Sequence, residues 1–122
     1  MLGINDTEEK VKLRFVIGNK LNEEIDKLYE DAIELGDEIL TNTRKRNRII
    51  NGCMNNLRLC TRTARFGASM ATILQENDEY HELRKLLQKY NIWSEEMEQL
   101  HKEVSEICLC WKETNCNNNL VV

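Results

Sequence analysis

Residues 21–39 read LNEEIDKLYEDAIELGDEI. Leu21, Ile25, Leu28, Ala32, Leu35 and Ile39 recur in it at alternating steps of four and three. That spacing lines side chains along one stripe of a helix and is the seam pattern of a coiled coil or long-helix bundle. Working back, Asn5 or Asp6 can cap a helix start, with Glu8 or Glu9 closing a capping box. Working forward, the phase passes a polar stretch at Asn42 and Arg46 and resumes at Ile49, Cys53, Leu57 and Cys60. It then runs through Gly67 and Met70 or Ala71 to Leu74. Gly36, Asn51-Gly52 and Gly67 are possible breaks, and Asn-Gly is a turn signal. Because the apolar phase survives across them, the pattern predicts one helix over about 7–75, on the order of 100 Å long.

Gln75-Glu76-Asn77-Asp78-Glu79 is polar and reads as a turn, with Asn77 or Asp78 able to cap a second helix. That helix, over about 79–112, has its own seam: Leu83, Leu86, Tyr90, Trp93, Met97, Leu100, Val104, Ile107 and Trp111. The chain has no proline and five glycines, so little interrupts a helix. The fold class expected is therefore all-α. Its form is a long antiparallel helical hairpin over residues 1–113, coiled-coil-like, with a disordered tail over 114–122. A compact three-helix bundle turning near Gly36 and Gly52 is the rival. Two helices with narrow seams bury too little surface to close a domain, so a homo- or hetero-dimer through the seams is expected. Leu21, Ile25, Leu28, Leu35, Ile39, Ile49, Cys53, Cys60 and Leu74 would supply the first helix's side of the packing.

Charge is distributed unevenly. Residues 41–74 contain no acid and seven of the chain's 17 basic residues, while all 21 acidic residues lie outside. Arg44, Arg48, Asn51, Asn55, Arg58, Arg62 and Arg65 step by four and three, forming one stripe roughly 200° round the helix from the seam. A solvated face is the plain reading of such a run. Arginine forks in a row also suit phosphate groups. Arg44, Lys45, Arg48, Arg58, Arg62 and Arg65 are the candidate contacts to anionic lipid. The net charge of −4 and the lack of aromatics between the arginines count against nucleic acid.

Catalytic and metal-binding patterns are not found. There is no phosphate-binding glycine loop, no metalloprotease helix pair and no nucleophile elbow. The spacing of Cys108, Cys110 and Cys116 does not match a zinc knuckle. Cys53 and Cys60 fit the seam as small apolar groups. No cofactor, no metal and no enzyme activity are expected. No apolar run is long enough to span a bilayer, and MLGINDTEEK lacks the apolar core of a signal peptide. A cytoplasmic chain with reduced thiols is expected.

The segments Phe66-Gly67-Ala68-Ser69-Met70-Ala71 and Glu98-Gln99-Leu100-His101-Lys102-Glu103 resemble the F-x-x-S-x-A and E-Q-L-H-x-E segments of the sorting nexin BAR domain. The resemblance covers about 66–105. It implies a dimer of long helices with a basic face that binds phosphoinositide membranes peripherally, in endosomal protein sorting. The third helix and the phosphoinositide-binding PX domain of that family are not seen in this sequence. A second expectation, from the seams alone, is a coiled-coil adaptor or assembly subunit that binds partner helices.

Overall fold

The computed structural model describes the backbone of residues 2–62 and 64–121, and the side chains of 17–62, 70–110 and 112–113. Its described residues are helical: α1 (Leu2–Leu35), a 3-10 turn (Gly36–Leu40), α2 (Thr43–Arg62), α3 (Ala64–Glu76), α4 (Asp78–Lys89) and α5 (Glu95–Val121). The all-α expectation is met. The proposed cap at Asn5 or Asp6 and the seam residue Trp111 fall on side chains outside the described residues. The backbone of α1 already begins at Leu2, and that of α5 continues through 114–121.

The predicted helix over 7–75 is interrupted at Gly36, which takes a φ of +52°. A left-handed residue cannot continue an α-helix, and glycine occupies that region without the steric cost of a Cβ. Asn42 then caps α2, its Oδ1 accepting the Lys45 N–H at 3.2 Å. The apolar phase survived the break because Ile39, on the 3-10 turn, still plugs the core. Asn51-Gly52, in contrast, makes no turn: α2 runs straight through it. Gly52 suits the packing: a Cβ there would lie 2.7 Å from Cδ2 of Leu28 on α1, so the half-buried Leu28 side chain would have to shift.

The second predicted helix is divided as well, into α4 and α5. Asn77 caps α4, as expected, accepting the Tyr80 N–H at 2.8 Å. Helix α4 ends where Asn91 adopts a φ of +60°. Ile92 N–H donates to Leu87 O at 2.9 Å and Asn91 N–H to Gln88 O at 3.0 Å. This is the paired bonding of a Schellman motif, which satisfies the last carbonyls of a helix. Ser94 starts α5, its Oγ accepting the Met97 N–H at 3.2 Å.

The result is two helical hairpins side by side. Asp31 lies beside Arg48, Leu28 beside Gly52 and Gly18 beside Ile73, so α2 and α3 return antiparallel along α1. Asn22 bonds Asn77 and Asp37 bonds Tyr90, so α4 runs parallel to α1. Arg58 pairs with Glu96 and Thr72 with Cys108, so α5 runs parallel to α2 and α3.

One core lies between the hairpins. Leu21, Ile25, Leu35, Ile39, Ile49, Cys53, Cys60, Leu74, Leu83, Met97 and Val104 are buried in it. Leu28, Leu86, Tyr90, Trp93, Leu100 and Ile107 pack half-buried against it. The seam residues are therefore consumed within one chain. Three reversals of chain direction let the seams face each other, so their burial does not require a second chain.

Candidate functional site

The arginine stripe lies on α2, on the surface, as its phase requires. Arg44, Lys45, Arg48 and Arg62 are exposed and Arg58 is half-exposed. The Arg65 side chain lies outside the described residues. The fold sets acids from other helices against this stripe. Arg48 reaches Asp31 of α1 at 3.7 Å, and Arg58 reaches Glu96 of α5 at 3.0 Å. Lys45 and Arg48 share a surface recess with Asp31, Glu34 and Glu38. A band that is purely positive along the sequence is thus patched with negative charge in space. Among the described residues, Arg44 and Arg62 keep no carboxylate partner.

Between α1 and α2 runs an open groove of about 670 Å³. Its α2 wall carries Arg44, Asn47, Arg48, Asn51 and Asn55, and its α1 wall Glu24, Lys27 and Asp31. Leu28, Gly52 and the buried Asn56 lie at the junction of the two walls. Asn47, Asn51 and Asn55 recur every fourth residue, so three exposed carboxamides stack about one turn apart. Carboxamides donate and accept hydrogen bonds, and guanidinium groups only donate. The groove therefore offers both kinds of polar partner along a line.

A second polar constellation, which the sequence reading missed, joins α4 to α5. The Arg84 guanidinium grips Glu98 through both carboxylate oxygens at 3.1 and 3.0 Å. Trp93 Nε1–H donates to Glu98 Oε2 at 2.6 Å. Arg84 also lies 5.5 Å from the Trp93 ring centre. Arg84, then Trp93, hold the Glu98 carboxyl below its ordinary range. Beneath them, Tyr80 Oη and His101 Nδ1 share a buried 2.5 Å hydrogen bond. Burial first, and the nearby Arg84 charge second, lower the His101 pKa, so the ring is held neutral. Burial pushes the Tyr80 hydroxyl well up. This cluster locks two helices whose backbones stay apart. The sequence signal available was Ser94-Glu95-Glu96, an N-cap with an acidic first turn that announces a new helix after Trp93.

The thiols follow the same logic. Cys53 and Cys60 are buried and each is pushed up to about 12. They stay protonated and inert, as fillers of the core. Among the described residues no group of three or more His, Cys, Asp or Glu is placed to hold a metal ion. No helix of the described residues is long and apolar enough to cross a membrane.

A bundle of two hairpins with a polar groove defines a class of helical module and no activity. No family model matches the chain. No solved structure matches it. The chain is 29% identical over 119 residues to the Septu protein PtuB of Bacillus thuringiensis. That alignment covers 98% of this chain and 46% of the relative, so the chain spans about half the relative's length.

These findings correct the sorting nexin reading. The similarity found is to a protein of a bacterium, a cell without endosomes, and not to a BAR domain. The long uninterrupted helix that a BAR dimer needs is broken at Gly36 and again after Lys89. The uniform basic face expected to meet phosphoinositide is interrupted by Asp31 and Glu96. The Phe66-to-Ala71 and Glu98-to-Glu103 resemblance reflects common helical residues in seam spacing.

Proposed function

We propose that this chain is a non-enzymatic helical module that assembles with a partner protein in the cytoplasm. One observation carries the reading. The bundle spends its apolar seam residues inside itself and leaves an amide- and arginine-lined groove open on its surface. Recognition through that groove would be polar and specific. It would not use seam-to-seam packing of helices.

The similarity to about half of the Septu protein PtuB supports a modular role, because nearly the whole of this bundle corresponds to a part of a larger protein. The buried Tyr80–His101 pair supports the non-enzymatic reading. Its ring and hydroxyl are spent on each other in the core, where a substrate has no access. A cytoplasmic setting suits Cys53, Cys60, Cys108 and Cys110, which are all free thiols.

Photo-crosslinking in the cell of origin tests the proposal. A benzophenone amino acid would replace, one at a time, exposed residues on each helix, including Lys27 on α1 and Lys102 on α5. The expected result is a discrete adduct with one protein species. Adducts with nucleic acid or lipid alone, or none from any position, would overturn it.

A further inference from the structure

We infer that the α1–α2 groove binds an extended peptide segment that carries a carboxylate at the Arg44 end. This rests on the reading of the chain as a protein-binding module and specifies the surface and chemistry involved.

The inference starts from the amide ladder. Asn47, Asn51 and Asn55 all line the groove, and all three side chains are exposed. No hydrogen bond to another described side chain occupies their carboxamides. From the first to the third is roughly 12 Å along the helix, about the length of four residues of extended chain. An extended peptide presents N–H and C=O groups in alternation, so it can use both the donor and the acceptor of each carboxamide. A phosphodiester backbone presents acceptors only. It would leave the amide oxygens unused and would set a negative charge at every unit against Glu24 and Asp31 across the groove, where the peptide brings a single carboxylate.

Charge then sets the direction. Arg48 is already engaged by Asp31, whereas Arg44, one turn towards the start of α2, has no carboxylate among the described residues. A guanidinium takes a carboxylate through two parallel hydrogen bonds, which would anchor one end of the segment. Glu24 and Lys27 on the opposite wall bring both signs of charge, which suits a polar peptide better than a uniformly charged polymer.

The experiment uses the purified full chain. Its probes are an array of peptides of about eight residues, enough to overrun the groove. Each has a Ser/Thr/Val background with a single Asp scanned through it; a matched array carries Lys instead, and a short DNA duplex is added as a third probe. Binding of Asp peptides is expected to shift the side-chain NH₂ resonances of Asn47, Asn51 and Asn55. Arg44→Gln and Asn51→Leu should each weaken it about tenfold without lowering the melting temperature, since both residues are exposed. Equal binding of Lys and Asp peptides, no peptide binding, or duplex DNA shifting the same resonances in place of peptide would each overturn the inference. The two proposals fail separately. A partner protein that crosslinks elsewhere but not at Lys27 on the groove wall removes the groove and leaves the module. Peptide binding without any cellular crosslink removes the module and leaves the groove.

Discussion

Gly36 shows how much a single residue decides. Its φ of +52° turns α1 back on itself, and no atom lies within 4 Å of where a Cβ would stand. The cost of a side chain there is therefore backbone strain alone. Gly36→Ala is expected to destabilise the chain by roughly 1–2 kcal/mol, read as a lower urea midpoint with unchanged slope. His101 makes the complementary case for burial. Its pKa in the folded chain lies below the ordinary value of about 6.5, so the unfolded chain binds the proton first. Stability from this group is complete above about pH 6.5 and is lost as pH falls through the folded-state value. Urea midpoints measured between pH 7 and 5 should fall, and His101→Asn, although less stable, should show a flatter slope over that window. An unchanged slope in the variant would place the pH dependence elsewhere.

At the scale of elements, the turns and caps are where the hairpins are made. Asn91 occupies the left-handed position that asparagine tolerates better than most residues. Ser94 holds one of the orphan amides of α5. Ser94→Ala is expected to cost about 1 kcal/mol, measured by chemical denaturation. Removing the exposed Arg58–Glu96 pair is a contrasting change. Arg58→Gln should cost under about 1 kcal/mol, and less in high salt, because solvent screens an ion pair of this exposure. The phase of α4 was only partly legible. Leu83, Leu86 and Tyr90 were expected to form its seam, yet Tyr80, Leu83 and Leu87 are the residues fully buried. A short helix with a turn at each end is free to rotate by part of a turn. Tyr80 could not be recognised as core until the position of His101 was known.

For the whole molecule, the decisive fact is that the seams close on each other within one chain. Its melting temperature is therefore expected to be independent of protein concentration; a rise with concentration in calorimetry would show that a second copy completes the core. Helix content, most of the core and the exposure of the described arginines were written in the periodicity of apolar residues, and a cap at Asn77 or Asp78 in the polar run before the second helix. Such periodicity registers burial on one helix at a time. It says nothing of which acid from another helix will stand opposite an arginine, so a stripe positive in sequence became a surface patched by Asp31 and Glu96. Nor does it register a turn that preserves phase, as those at Gly36 and Asn91 do. By itself the sequence determined that this protein is a helical one with a buried apolar stripe, because local propensity and spacing carry that information. The tertiary structure alone decided that the stripe closes within one chain and that a polar groove opens between α1 and α2. Both depend on contacts between residues far apart along the chain.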